Sequence, residues 1–301
     1  MDWHDGYVSG IEYLVEFFQD QGPTHLNVAC IINGVEPVTP GAPFTYFELG
    51  CGQGLTANVL AAANPHGAFF AADFNPSHIA GAQELADLAG LTNITLLEKS
   101  FAELAAGEVA LPLMDYITLH GVYTWVSPEQ RVFVARFIER YLKPGGVLYV
   151  SYNAMPGWSA ALPLQRLLLE QGNLQPGTQH QKIQSARDLI NGLTHAKATY
   201  FCEDVSPNLR HYIDAVLVED NSRSSYIAHE YMNQGWEPLY HADVVAGLAN
   251  CKLDYAGSAE FSWAQPNLYL NAGQQELLAG IDDPVLRETV KDYLRNTCFR
   301  R

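Results

Sequence analysis

Hydrophobic positions change rhythm along this 301-residue chain. Over residues 7–34 they recur near the helical period, in "YVSGIEYLVEFFQD" and "THLNVACIING", and each stretch closes on a polar or glycine signal, which predicts two helices. "VEPVTPGAPF" (35–44) follows; its three prolines and one glycine break any regular element and mark a linker. From Phe44 onward, short apolar runs alternate with helical patterns. Strands are predicted at 44–49, 67–73, 94–99, 114–120 and 146–153, with helices between them at 55–64, 76–89, 101–106 and 128–142. The last helix is the most sharply bounded, with Ser127 as N-cap, Pro128 at the first position and "KPGG" as the stop. Five strands joined by four crossovers predict an α/β fold, a doubly wound parallel sheet.

Past Asn153 the alternation lapses. "WSAALPLQRLLLEQG", "QHQKIQSARDLINGLTHAKATYF", "SPNLRHYIDAVLVED" and "SSYIAHEYMNQG" predict a run of helices across about 158–235. Residues 241–261 then read as helix followed by strand, and "NLYLNA" (267–272) as one more strand, which returns the chain to the sheet. The expected organisation is an N-terminal helical cap and linker (1–43), a sheet domain (44–157 plus 237–272), a helical insertion after the fifth strand (158–236) and C-terminal helices (273–301).

Charge narrows the partners. With 33 acids against 17 bases, the net charge of −16 repels phosphate backbones and leaves no clustered Lys/Arg footprint for nucleic acid. A basic protein or a cationic small molecule is the easier partner. No apolar run approaches the roughly 18 residues of a membrane span, and the N-terminus "MDWHDGYVSG" is acidic where a signal peptide is basic, so a cytoplasmic location is expected. The five cysteines are scattered with no C-x-x-C pair, and they read as reduced thiols. "HEYMN" (229–233) begins like a zincin helix, but Asn233 stands where the second histidine is needed, and no metal is expected.

The chemistry concentrates at "FELGCGQG". A strand running into Gly50, Gly52 and Gly54 places residues without side chains at a strand-to-helix turn, where a ligand and the next helix approach closely. Such a turn also serves nucleotide dehydrogenases. Glu48 separates the two cases, because a carboxylate opposes a dinucleotide's pyrophosphate and suits a cationic ligand; S-adenosylmethionine carries a sulfonium and an ammonium and no phosphate. Asp73, at the tip of the second strand about 20 residues beyond the turn, is placed to accept hydrogen bonds from ribose hydroxyls. Ser100 and Phe101 follow the third strand and can meet an adenine ring, although Phe101 reads equally as a core aromatic.

Together "FELGCGQG", "AADFNP", "LEKSF", "MDYITLHGVYTWV" and "LKPGGVLYVSYNAMPGW" resemble the class I S-adenosylmethionine-dependent methyltransferases. "HGVYTWV" and "YNAMPGW", with "SSYIAHEYMNQGWEPLYHADVV" and "LDYAGSAEF" further on, resemble the bacterial group that carries a methyltransferase regulatory domain and includes the rickettsial protein lysine methyltransferases. The resemblance implies a Rossmann-like methyltransferase sheet. It further implies Glu48, Gly50, Cys51 and Gly52 at the methionine end of the cofactor, Asp73 and Phe74 at the ribose, Ser100 and Phe101 at the adenine, and His120 with Gly121 beneath the sulfonium. Members of the group continue beyond the equivalent of "RNTCFRR", a region this chain would lack.

Methyl transfer is an in-line displacement that needs a nucleophile about 3 Å from the methyl carbon, so positioning outweighs side-chain chemistry. Tyr123, Tyr152 and Asn153 are expected to hold an amine, and Trp125 and Trp158 to wall a cation. Both tryptophans serve equally to seal the insertion onto the sheet. His120 is available as a base near neutral pH, with a backbone role at the cavity floor as the preferred reading. The Asn/Asp-Pro-Pro-aromatic loop of adenine and glutamine enzymes and the Pro-Cys of cytosine enzymes are both missing after the fourth strand. The leading expectation is methyl transfer to nitrogen, first of all a protein lysine amine. A small-molecule acceptor, or a module that binds the cofactor without catalysis, stands as the alternative.

Overall fold

Runs such as "FTYFEL" and "MDYITL" are apolar on both sides of the strand, and both sides are covered. The computed structural model describes residues 15–202, 208–218, 227–228 and 230–301. Strands β1 (Phe44–Leu49), β2 (Gly67–Asp73), β3 (Ile94–Glu98), β4 (Met114–Leu119) and β5 (Leu142–Val150) form one parallel sheet in the order β3-β2-β1-β4-β5. The order reverses between β1 and β4, which opens a crevice at the strands' carboxyl ends.

The alternation along each strand sorts the core into two layers. Phe47, Leu49, Ile117 and Leu119 face one side and pack with Phe137 and Ile138. Tyr46, Phe69, Tyr116 and Tyr149 face the other, with Leu26, Leu60 and Ala259. Helix α1 (Pro23–Ile32) lies on the second side. The crossover helices are α2 (Leu55–Ala63), α3 (Pro76–Leu88), α4 (Phe101–Ala106) and α5 (Pro128–Tyr141). Their starts are fixed locally: the Asn75 side chain accepts from Ser77 N–H with Pro76 at the first position, Ser100 and Glu103 close a capping box, and Ser127 accepts from Gln130 N–H.

Beyond the sheet, α6 (Leu162–Leu174), α7 (Gln179–His195) and α8 (Leu209–Leu217) build a separate apolar cluster with Trp125, Trp158, Tyr231 and Trp236. The helix pair Ala272–Ala279 and Pro284–Arg295 precedes the end of the chain.

Four expectations change. The fifth strand begins at Leu142, which already pairs with Met114; Gly145, at φ +77°, bulges the chain behind it, and the ladder resumes at Tyr116 with Val147 after a register shift. The two later strands expected within 241–261 and at 267–272 do not form. The helix His241–Gly247 is followed by short 3-10 turns at Ala249–Cys251, Phe261–Ala264 and Pro266–Leu268. Gly257, at φ +147°, lets the side chain of Asn33 approach closely, and Ala259 N–H donates to the carbonyl of Arg301, so this segment covers a sheet face without joining an edge. The last residues, read as helical, instead contain β7 (Phe299–Arg300), antiparallel to β6 (Tyr152–Asn153). Arg300 anchors it through two bonds to the buried Asp292 carboxylate. Of the first expected helix, residues 7–14 lie outside the described residues and 15–18 are not helical; the second is α1. His229 of the zincin-like stretch is also outside them. No helix among the described residues is long and apolar enough to cross a membrane.

Candidate active site

The crevice at the carboxyl ends of the strands is a cavity of about 580 Å³. Its walls come from the loops after β1, β2, β3 and β4, from Asn153 on β6, and from Phe18, Phe299 and Glu230.

At the β1 end the chain turns through Gly50, Cys51, Gly52 and Gly54. The first two N–H groups donate to the carbonyl of Ala72 at 2.8 and 3.0 Å, Gly52 N–H donates to the Asp73 carboxylate at 3.0 Å, and Gly54 N–H donates to Cys51. These four amides are spent inside the protein, so the turn is a poor cradle for a diphosphate. Gly52 has φ +53°, and a Cβ there would meet nothing within 4 Å. At Gly54 (φ +69°) a Cβ would fall 2.6 Å from that of Ala82, so glycine lets α2 sit close to α3.

Two carboxylates flank the turn. Asp73, 8% exposed, accepts from Gly52 N–H, from Asn75 N–H at 2.9 Å and from His78 Nδ1 at 3.2 Å. Glu48 is 4% exposed; Gln21 Nε2 donates to its Oε1 at 3.1 Å, the Ala57 backbone N–H approaches the carboxylate, and Oε2 receives no hydrogen bond of ordinary geometry among the described residues. Burial pushes the Glu48 carboxyl up to about 7, and the nearby charge of Asp73 adds to the shift. Burial also holds the Cys51 thiol well above its ordinary range, which leaves it uncharged and a poor nucleophile.

The remaining cofactor expectations all line the same cavity: Phe74 after β2, Ser100 and Phe101 after β3, His120 and Gly121 after β4. The Ser100 hydroxyl is already engaged with the carboxylate of Glu103 at 2.8 Å. Phe101 packs on the sheet core and also lines the cavity. Gly121 N–H donates to Ser151 Oγ at 2.8 Å. His120 stacks on Phe18 with ring centroids 3.9 Å apart and pairs with the hydroxyl of Tyr149 at 2.8 Å. Burial, with the charge of Arg301, pushes its imidazole down to about 3, so it is neutral near pH 7 and a weak base.

The expected acceptor residues divide. Asn153 and Trp125 line the cavity. Tyr123 is buried on the α5 side, with the Arg131 guanidinium 5.7 Å from its ring centre. Tyr152 is buried with its hydroxyl 3.2 Å from His241 Nδ1. Trp158 donates Nε1–H to the carbonyl of Cys298 and packs edge-on against Trp236 in the apolar cluster of α6, α7 and α8. None of these three lies in the cavity wall. Their aromatic bulk is spent on packing, Tyr123 and Tyr152 in the sheet core and Trp158 in the helical cluster.

Sequence reasoning missed Glu230, which does line the cavity. Its Oε2 accepts from Asn153 Nδ2 at 2.8 Å and from Trp236 Nε1 at 2.7 Å, and the side chain of Trp125 also hydrogen-bonds to it. A lone glutamate in a helical stretch carries no signal of this. Only the partners, 77 residues away in one case, reveal it.

Residues 47–148 match the methyltransferase domain family, and residues 223–301 match the predicted methyltransferase regulatory domain. An uncharacterized protein of Synechocystis is 36% identical over all 301 residues, which are 58% of its own length. An O-methyltransferase of Dictyostelium discoideum is 30% identical over 111 residues, 35% of this chain and 24% of that protein. Among solved structures, PKMT2 from Rickettsia typhi in complex with AdoHcy superposes with a TM-score of 0.79 at 23% identity, covering 96% of this chain and 53% of that one. At that identity the likeness carries the fold, a Rossmann-like sheet with flanking helices. The chain spans little more than half the length of the Synechocystis and Rickettsia typhi proteins.

Proposed function

We propose, on the premise that the chain belongs to the methyltransferases joined to the predicted methyltransferase regulatory domain, that it binds S-adenosylmethionine in this cavity and passes the methyl group to a nitrogen, with a protein lysine amine as the leading acceptor. The observation that carries the reading is the pairing of Glu48, buried with one oxygen that receives no hydrogen bond of ordinary geometry among the described residues, with a glycine turn whose amides are already engaged. Such a turn attracts a cation and offers little to a diphosphate.

Gly50, Cys51, Gly52 and Glu48 would hold the methionine end, Asp73 and Phe74 the ribose, and Phe101 the face of the adenine, while His120 and Gly121 floor the cavity. When bound, S-adenosylmethionine supplies a methyl group on a positively charged sulfur. The protein's part is to orient the acceptor and exclude water, which the enclosure by Phe18, Trp125 and Phe299 favours.

The test is to incubate the chain with methyl-labelled S-adenosylmethionine and a cell lysate, then separate proteins from small molecules and hydrolyse the labelled bands. Label recovered as methyl-lysine is the expected result. Label confined to metabolites would overturn the protein acceptor; no label, despite binding seen by calorimetry, would leave a cofactor-binding module.

A further inference from the structure

Glu230 presents a charge problem that the fold leaves open. The residue is 5% exposed, and among the described residues its hydrogen-bond partners are neutral and no Lys, Arg or His forms an ion pair with it. A buried carboxylate without a counter-charge is costly, and side chains in that position either stay protonated or serve a cation. Glu230 lies on the cavity wall, next to Thr124, Trp125 and Asn153. These follow β4 and β5, whereas the turn and Asp73 follow β1 and β2, so Glu230 stands on the β4 and β5 side of the cavity and the cofactor turn on the β1 and β2 side.

We propose that Glu230 is the anchor and proton acceptor for a primary ammonium group entering the cavity beside Trp125 and Asn153. The proposal rests on the function above and deepens it, because it assigns the acceptor's binding group. Asn153 Nδ2 and Trp236 Nε1 both donate to Oε2, which fixes the plane of the carboxylate. Trp125 adds an aromatic wall of the kind that favours a cation. In the proton transfer, one N–H bond of the ammonium breaks, its electron pair stays on nitrogen, and the proton forms an O–H bond on Glu230. The neutral amine that results has the lone pair that a transfer to nitrogen needs. Burial pushes the carboxyl up to about 7, against the three hydrogen bonds that lower it, so the group exchanges protons near neutral pH.

Glu230 lies within 223–301, the stretch matching the predicted regulatory domain. That domain thus contributes a wall of the reaction chamber as well as any regulatory role.

Glu230→Gln keeps the shape and can still accept from Asn153 and Trp236. Binding is read by calorimetry with n-butylammonium, a minimal lysine side-chain probe, in the presence and absence of S-adenosylhomocysteine. The expected result is at least a tenfold loss of n-butylammonium affinity in E230Q, in line with removing one side of a buried charge pair, with S-adenosylhomocysteine affinity within about threefold of the parent. Glu230→Asp, which keeps the charge on a shorter stem, should recover part of the loss and guards against misfolding of E230Q. Equal n-butylammonium affinity in parent and E230Q overturns the assignment. Failure of the parent to bind S-adenosylhomocysteine overturns the proposed function instead, and the n-butylammonium comparison still decides the role of Glu230.

Discussion

On the β1 and β2 side of the cavity, Glu48, Gly50, Cys51 and Gly52 fall within five consecutive positions, and Asp73 follows at the tip of the adjacent strand. On the β4 and β5 side, Trp125, Asn153 and Glu230 come from three separate parts of the chain, and Glu230 reaches the other two across 77 residues of sequence from Asn153. Both sides bury a carboxyl pushed up to about 7. Among the described residues, Glu48 sits beside a second acid and keeps one oxygen without a hydrogen bond of ordinary geometry, whereas the partners of Glu230 are neutral donors. One side is a local motif, carried by strand, turn and helix. The other is a surface assembled from separate segments of the chain.

The largest expected effect tests the local side. A methyl group on Gly52 would project into open space, so Gly52→Ala should leave packing intact apart from the strain of a left-handed backbone, about 1 kcal/mol, while obstructing the ligand. Calorimetry with S-adenosylmethionine should show a loss on the order of a hundredfold, with a melting temperature only a few degrees lower. Gly54→Ala places its methyl 2.6 Å from that of Ala82, and here the melting temperature should fall much further. If both variants lost stability alike and Gly52→Ala still bound the ligand, the turn would be a folding device only.

That contrast also explains what could be read in advance. The strands at 44–49 and 67–73, the capped helix starts at Pro76, Phe101 and Pro128, and the glycine turn are all written in neighbouring residues, where the apolar period and capping chemistry decide the outcome. Glu230 and the pairing of Phe299 with Asn153 depend on contacts across 77 and more residues, which no local pattern encodes. Tyr123, Tyr152 and Trp158 show the converse error. Aromatic and hydroxyl groups near strand ends look available in sequence, yet their bulk is consumed by packing. The strands expected after 251 failed because Gly257 and Pro266 favour turns, and because β6 takes its partner from the chain end.

The pH dependence of cofactor binding separates the two buried acids. In the ligand-free protein Glu48 holds its proton up to about 7, above the ordinary 4.5. Its contribution to stability is therefore full below about 4.5 and lost as pH rises through 7. A cationic ligand needs the charged form, so S-adenosylmethionine affinity should climb over the same window, by about tenfold between pH 5.5 and 7.5. Glu48→Gln should flatten that curve, while E230Q should keep it. A curve flattened by E230Q and kept by Glu48→Gln would exchange the roles assigned to the two sides.

The smallest effect belongs to His120. Its imidazole, pushed down to about 3, stays neutral near pH 7, so the sign is opposite to that of Glu48: its contribution to stability is full above about 6.5 and lost as pH falls towards 3. His120→Asn removes the stack on Phe18, worth about 1 kcal/mol, and should lower the melting temperature by a few degrees at pH 7 while making the protein relatively less sensitive to acid. Turnover should fall by less than about fivefold, and the acid limb of its pH profile should not move, because that limb belongs to the carboxyls. An acid limb that vanished in His120→Asn would return the proton transfer to the β4 tip and remove the division of labour between the two sides of the cavity.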